Sequence, residues 1–358
     1  MIRFAGLQAR VQLLTGAACL LVVAIVTAAT GPHLSHLYHA DVVPCAANGD
    51  CSLQMQALFS HDSFLQAAFN LVIRLVPAVI GIFWGAPVFA RELEAGTFRL
   101  AWTQSVSRSR WVITKLVIGG LASTLAAGMF SLIVTWWFRS LDLANGNLHS
   151  FSIFDQRDLV AAGYGLFAFA AGALLGAVLR RVLPAMAATL GVFAFARVAI
   201  AAWVRPHYIS ALHQNTSLLG GSFGLMMYNG SGPTFVVQPQ VAANGWVPHN
   251  QIVNSAGQPV SAAARAAFLQ SHCQAVLQSL PGPGSQGGIA PGIHTNVGPP
   301  ADAVHQCLVQ AASLYHVVVT YQPSSRFWPF QWIETGLFGA LALAAFGACY
   351  WWVKRRIA

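Results

Sequence analysis

The chain of 358 residues is poor in charge and rich in apolar side chains. Charged residues make up 8% of the sequence and apolar residues 56%, whereas a typical soluble domain carries about 25% charged residues. So few charges cannot solvate the surface of a soluble protein of this length, and the composition therefore predicts a membrane protein. The net charge of +9 does not indicate nucleic-acid binding, because the basic residues occur in short clusters beside apolar runs and form no basic face.

The first apolar run, Val11–Thr30, lacks charge and follows Arg3 and Arg10. Its length of about 20 residues is enough to cross the hydrocarbon core of a bilayer. A cleavable signal peptide is the alternative, because small residues occur near the end of the run at Thr27–Ala29. Both interpretations place the following segment outside the membrane, and we favour a retained span.

The segment from Gly31 to Asp62 is predicted to be a polar loop. Cys45 and Cys51 flank an Asn-Gly tight-turn signal, so their thiols can meet in a disulfide. Three histidines precede them at a spacing of three residues: His33, His36 and His39. On a helix that spacing spreads the rings over about 120°, and no carboxylate lies among them, so we expect a solvated histidine-rich loop, with a zinc site as the alternative.

Five further apolar runs follow: Ser63–Ala90, Trp111–Phe138, Leu159–Leu179, Val182–Val204 and Trp328–Val353. The fourth run of the chain, Leu159–Leu179, is rich in Gly and Ala, which predicts close helix packing in lipid. With the amino terminus inside, the inner segments hold twelve basic residues and the outer segments five. This bias predicts six spans with both termini in the cytoplasm.

The region between the fifth and sixth spans, residues 205–327, is predicted to be a small extracytoplasmic α+β domain. Two segments indicate strands, at Phe235–Gln238 and Val317–Tyr321. Two more indicate helices, Ser261–Leu280 with Cys273 and Ala301–Tyr315 with Cys307, and we expect these cysteines to form a second disulfide. Cys19 and Cys349 lie in apolar runs and are expected to be inert core thiols. The fold class is thus an all-α polytopic membrane protein, with transmembrane residues 1–204 and 328–358 and this one added domain.

Three ionisable residues fall inside the predicted spans: Arg74, Arg197 and Glu334. Such groups are costly at membrane depth and usually face a partner or a cavity. Glu334 and Arg197 lie at similar depths from the outer surface, about 9 and 10 Å at the helical rise per residue. We therefore expect these two to pair, with Arg74 as second choice, and contact with a substrate as the alternative.

The densest cluster of charge lies between the second and third spans, in the segment Phe89–Leu116. Helical periodicity over residues 89–104 predicts an amphipathic helix with a narrow apolar stripe at Phe89, Leu93, Gly96 and Leu100. The charged residues of this helix point elsewhere: Arg91, Glu92, Glu94 and Arg99. Exposed charges of this kind contribute little to folding, so we expect the helix to contact a partner outside the membrane. The alternative is a solvated loop that only sets orientation.

No catalytic motif is convincing in this chain, and we do not expect an enzyme. It lacks a P-loop, an H-E-x-x-H motif and a C-x-x-C motif. One formal G-x-S-x-G match, centred on Ser222, lies in a Gly- and Ser-rich stretch without the strand and helix that a nucleophile elbow requires. We therefore predict no catalytic residue and no metal ligand.

Two stretches resemble bacterial permease subunits of type-2 ATP-binding-cassette (ABC) exporters. The first is FWGAPVFARELEAGTFRLAWTQSVSRSRWVITKL, and the second is YQPSSRFWPFQWIETGLF before the last span. The resemblance covers the order of spans and both loop positions. It is specific to the permease group and says little about the substrate, for which an apolar or amphipathic compound is the default.

The resemblance implies a half-transporter of the bacterial inner membrane that pairs with a second permease copy and binds separate ABC ATPase subunits. ATP and Mg would be bound by those subunits, with no cofactor in this chain. The helix after the second span would be the coupling contact, with Arg91, Glu92, Glu94, Gly96 and Arg99 at the ATPase. The large outer domain departs from the simplest members. A receptor or scaffold, with a ligand-binding outer domain and an inner helix that recruits a partner, is the alternative function.

Overall fold

The computed structural model describes residues 2–46, 51–97, 107–144, 146, 151–228, 232–239, 245–278 and 301–356. The chain divides into two compact units, one formed by residues 1–209 with 325–358 and the other by Ser210–Ser324. The first is helical and the second mixes strands with helices.

Within the described residues, six helices are long and apolar enough to cross a membrane. In chain order these spans are Leu14–Cys45, Ser63–Glu94, Arg108–Ala144, Leu159–Leu179, Val182–His207 and Ser324–Arg356. Each contains the core of one predicted apolar run, so by length and composition the six predicted spans are present.

The helices of the first unit are bounded as follows. They are α1 (Ile2–Leu37), α2 (Val43–Ala46), α3 (Ser52–His61), α4 (Ser63–Ile80), α5 (Pro87–Glu94), α6 (Arg108–Ala144), α7 (Leu159–Leu179), α8 (Val182–Ala199) and α12 (Phe327–Arg356). Three π-helical turns continue spans without a break, at Tyr38–Val42, Gly81–Gly85 and Ile200–Val204. A π turn contains an extra residue, so side chains beyond it point in directions that a uniform 3.6-residue period does not predict.

The predicted polar loop from Gly31 to Asp62 is wrong in its extent, because much of it is helical. The first span continues past Thr30 through α1, a π turn and α2, and α3 then follows. Leu34 and Leu58 from this region are both buried, in one cluster with Phe69 and Trp137. Burial of these apolar residues stabilises helix where turn residues and histidines had indicated a loop.

The fourth span, α7, lies at the centre of the bundle, with most of its residues buried. Its glycines allow main chains to approach closely: a Cβ at Gly172 would lie 2.5 Å from the Gly81 carbonyl oxygen, and one at Gly176 would lie 2.2 Å from that of Ala86. The predicted close packing of this Gly- and Ala-rich helix is confirmed. Larger side chains at these positions would separate the second span from the fourth.

The second unit contains α9 (Ala262–His272), α10 (Gln274–Gln278), α11 (Ala301–Leu314) and five strands. The strands are β1 (Leu212–Thr216), β2 (Gly221–Tyr228), β3 (Gly232–Pro239), β4 (Trp246–Asn254) and β5 (Tyr315–Gln322). Antiparallel β1, β5 and β4 form one sheet in that order, and β2 pairs with β3 in a hairpin. Val317, Val319 and Phe235 are buried with Leu269. The predicted strands and helices of this region are therefore present.

Candidate coupling surface and buried polar network

The second span ends where the sequence predicted the start of a separate helix. Residues 89–94 belong to α5, which continues the span, and α5 ends at Glu94. Gly96 has a φ of +68°, the left-handed conformation that commonly terminates helices. The predicted helix over residues 89–104 is therefore interrupted at Ala95–Thr97, and residues 98–106, with Arg99, lie outside the described residues.

The apolar side of α5 is anchored in the bundle. Phe89 and Ala90 are fully buried, and the Phe89 ring meets the Trp111 ring edge-on with centroids 5.2 Å apart. Arg91, on another side of the helix, is exposed. The end of the second span thus has a fixed apolar contact, and Arg91 on its other side is open to solvent.

Glu92 forms an ion pair with Lys115 near the start of the third span. The Lys115 ammonium also donates a 3.1 Å hydrogen bond to the Val88 carbonyl and lies 4.7 Å from the centre of the Trp111 ring. Both charged side chains are largely shielded from solvent, at 15% and 10% exposure. Glu92 therefore connects the second and third spans, whereas the sequence had placed it on a free surface.

Glu94 has an equally specific intramolecular contact. Its Oε2 atom accepts a 2.9 Å hydrogen bond from the backbone N–H of Val182, the first residue of α8. This N–H has no partner within its own helix, and a negative charge is favourable at a helix N-terminus. Glu94 is exposed as expected, and its carboxylate in addition caps the fifth span.

A second cluster of polar side chains is buried around Glu334 of α12, which is 1% exposed. Its carboxylate accepts hydrogen bonds from Arg205 Nε at 2.9 Å and Arg205 Nη2 at 2.8 Å. The Tyr164 and Tyr208 hydroxyls also donate to it. Burial and the negative charge of Glu334 both raise the pKa of Tyr208, so that its hydroxyl stays a donor. We call these residues, with Asp155, the Glu334 network.

Arg205 is the centre of positive charge in this network. Besides Glu334 it forms an ion pair with Asp155, and its guanidinium lies 4.7 Å from the centre of the Phe154 ring. The network therefore joins the fourth, fifth and sixth spans to the segment before α7. Paired charges and hydrogen bonds compensate the loss of hydration that burial imposes on each of these groups.

The predicted pairing of Glu334 with Arg197 is wrong. Arg197 donates instead to the Asp155 carbonyl at 2.7 Å and to the Arg74 carbonyl at 3.2 Å, and its guanidinium lies over the Tyr164 ring. The fifth span continues through a π turn and a short 3₁₀ turn, Arg205–His207, which bring Arg205 into the bundle. The predicted depths were counted only within the apolar run Val182–Val204. That run ends just before Arg205, the residue that pairs with Glu334.

Arg74, the second predicted partner, does not contact Glu334 either. Its side chain is exposed in the single chain. With the Gln156 amide oxygen turned toward it, that oxygen accepts hydrogen bonds from Arg74 Nη2 at 2.8 Å and Nε at 3.2 Å, while the Gln156 amide nitrogen donates to Asn70. Arg74 thus helps to hold the segment before α7 against the second span.

Two further polar residues near the network were missed by the sequence analysis. Arg157, 2% exposed, pairs with Asp142 at 2.5 Å. The Gln331 amide accepts from the Val160 N–H at 2.9 Å and donates to the Phe154 carbonyl at 3.1 Å. Arg157 lies between the third and fourth predicted apolar runs, and no periodic signal there indicates its burial.

The family described as ABC-2 membrane transporter related matches residues 17–205, just over half of the chain. The chain belongs to this family. No curated protein and no solved structure matches it. Membership of the ABC-2 family implies a membrane location and partnership with an ABC ATPase. The resemblance to ABC-2 type permeases inferred from the sequence is confirmed.

Both predicted cysteine pairs of this ABC-2 family member are at disulfide distance. The Cα atoms are 5.7 Å apart for Cys45 and Cys51, and 5.3 Å apart for Cys273 and Cys307. Cys349 is buried as expected, but Cys19 is exposed on the first span, which corrects its assignment to the core.

The formal serine motif of this ABC-2 family member does not form a nucleophile elbow. Ser222 lies inside strand β2, where it pairs in register with Gln238 of β3. An elbow requires a sharp turn from a strand into a helix. The surroundings of Ser222 therefore do not support a catalytic serine.

Proposed function

We propose that this chain is the membrane-spanning permease of an ABC exporter, which moves an apolar or amphipathic substrate outward. A separate ATPase subunit would bind and hydrolyse ATP with Mg. The family match carries this proposal, and the anchoring of the predicted coupling segment supports it. A second permease copy would complete the transporter in a bacterial inner membrane.

The segment from Arg91 to Arg108 is the proposed docking site of the ATPase. Its first end is joined to the third span by the Glu92–Lys115 pair and to the fifth span by the cap that Glu94 provides. A movement of the segment would therefore act on three spans together. The tight packing of the second span against α7 would pass the movement to the centre of the bundle.

The proposed orientation places both termini and the Arg91–Arg108 segment in the cytoplasm. It rests on the excess of basic residues in the inner segments. Arg180 Nη2 donates to the Arg356 carbonyl at 3.0 Å, so the α7–α8 turn and the carboxyl-terminal end of α12 lie at one end of the bundle. The unit Ser210–Ser324, with its disulfide, would then lie outside, where disulfides persist.

Charge reversal at Arg91 tests the docking site. Arg91 is exposed and forms none of the contacts that fix α5, so Arg91→Glu should leave yield and stability near those of the wild type. Exposed charges of this kind fix the alignment of two partners in a docking groove. We therefore expect the Arg91→Glu permease to stimulate the ATPase activity of its partner far less than the wild type does. The matched control is Arg139→Glu, an equally exposed arginine near the other end of the membrane.

The measurement is ATP hydrolysis by the co-purified ATPase with each permease variant in lipid nanodiscs. If the Arg91→Glu permease stimulates ATP hydrolysis as strongly as the wild type, Arg91 has no role in docking. If no ATPase associates with the wild-type chain, the exporter is refuted and the receptor or scaffold is favoured.

A further inference from the structure

The end of the first span forms a short helical hairpin with α3. A disulfide between Cys45 of α2 and Cys51 at the start of α3 joins the two arms. Leu34 of α1 and Leu58 of α3 are buried in the same apolar cluster. The disulfide and this packing fix the two arms relative to each other.

Two histidines face each other on this hairpin, His33 from α1 and His61 from the end of α3. Their Nε2 atoms are 3.2 Å apart, and their ring centroids are separated by 4.7 Å. Both side chains are accessible to solvent. Sequence spacing relates His33 only to its neighbours on the same helix, and His61 is 28 positions away.

The distance between the two nitrogens matches that of two ligands on one ion. Imidazole nitrogens bound to Zn²⁺ at 2.0–2.1 Å in tetrahedral geometry are separated by about 3.3 Å. Asp62 Oδ2 lies 3.3 Å from His61 Nδ1. A carboxylate beside Nδ1 leaves Nε2 as the nitrogen that faces a metal, the usual arrangement around zinc-bound histidines.

We propose that His33 and His61 bind a Zn²⁺ ion through their Nε2 atoms, with Asp62 orienting His61. Among the described residues, no group of three or more His, Cys, Asp or Glu side chains is placed to hold a metal, so water would supply the remaining ligands. Exposed His36 lies one turn beyond His33, a spacing at which two helical residues can share an ion. Imidazole ligands favour Zn²⁺ over Mg²⁺ or Ca²⁺, which prefer oxygen.

Bound zinc would link α1 to α3 at the end of the hairpin opposite the disulfide. The ion would thereby restrain the start of the second span, because Ser63 of α4 follows Asp62 directly. This site is independent of ATPase docking and of the direction of transport. Its test therefore does not depend on the proposed function.

The test uses the full chain in detergent, purified with a tag that lacks histidine and stripped with EDTA. Calorimetric titration with ZnCl₂ should show a high-affinity site in the wild type. His33→Ala and His61→Ala should each weaken it about tenfold or more, since loss of an outer-shell partner alone costs 10–100-fold. His39→Ala is the matched control, an exposed histidine of the same segment, and should bind as the wild type does.

Thermal unfolding provides a second measurement. Zn²⁺ should raise the unfolding temperature of the wild type and of His39→Ala, because it binds the folded hairpin, and MgCl₂ should not. Zinc affinity or stabilisation that is unchanged in His33→Ala and His61→Ala would overturn the proposal. The absence of a high-affinity zinc site in the wild type would also overturn the proposal. The contact between His33 and His61 would then be a direct hydrogen bond between the two rings.

Discussion

Removal of the carboxylate charge at Glu334 is the sharpest perturbation that the bundle offers. Glu334 is 1% exposed and accepts hydrogen bonds from two Arg205 nitrogens and from the Tyr164 and Tyr208 hydroxyls. In Glu334→Gln the amide keeps one acceptor oxygen. Its NH₂ group is a donor, however, and it would lie against the Arg205 and tyrosine donors that the carboxylate had accepted from. Arg205, 8% exposed, would retain Asp155 as its anionic partner.

Removing one partner of a buried ion pair usually costs about 3–5 kcal/mol of unfolding free energy. Glu334→Gln should cost less than this because Arg205 keeps its ion pair with Asp155, and Arg205→Gln should cost the full amount because it leaves the Glu334 carboxylate buried without a cation. In the double variant no carboxylate is stranded at position 334, so the combined loss should fall short of the sum by about 0.5–3 kcal/mol.

The assay is denaturant unfolding in detergent micelles, followed by tryptophan fluorescence, for the wild type, both single variants and the double variant. The control cycle combines Glu334→Gln with Arg91→Gln, since Arg91 is exposed near the opposite end of the bundle. That cycle should be additive within about 0.5 kcal/mol. Additive losses of unfolding free energy for Glu334→Gln and Arg205→Gln would refute the pair. A stronger coupling energy between Glu334 and Arg197 would favour Arg197, the partner that the sequence predicted.

Three further predictions concern packing, the disulfide and topology. Gly172→Ala should destabilise the bundle by about 1–3 kcal/mol through the clash of its Cβ with the second span, whereas Gly191→Ala, where a Cβ meets nothing within 4 Å, should be tolerated in the same unfolding assay. Loss of the Cys273–Cys307 bridge, which spans a sequence separation of 34, should cost the second unit about 3–4 kcal/mol, and mass mapping that joins Cys273 to any other cysteine would contradict the pairing. A reporter active only in the cytoplasm should be silent when inserted after Gly257 and active at the carboxyl terminus, and activity at Gly257 would invert the proposed placement of that unit.

The sequence alone determined the membrane class, the six spans and both cysteine pairs. Span length and hydropathy are local properties, and in lipid each span must satisfy its own backbone hydrogen bonds, so an apolar run such as Leu159–Leu179 directly predicts a helix. The Asn-Gly signal between Cys45 and Cys51 is local as well. The family resemblance was equally accessible, because it rests on contiguous stretches of sequence.

Only the tertiary structure decided which polar groups meet. Glu94 and Val182 are 88 positions apart, and Arg205 and Glu334 are 129 apart. Their contacts depend on the rotation and closeness of packed helices, which π turns and glycine contacts set. A hydropathy profile records how apolar each segment is and contains no information on helix rotation. For that reason the sequence identified Glu334 as a buried charge but assigned it the wrong arginine.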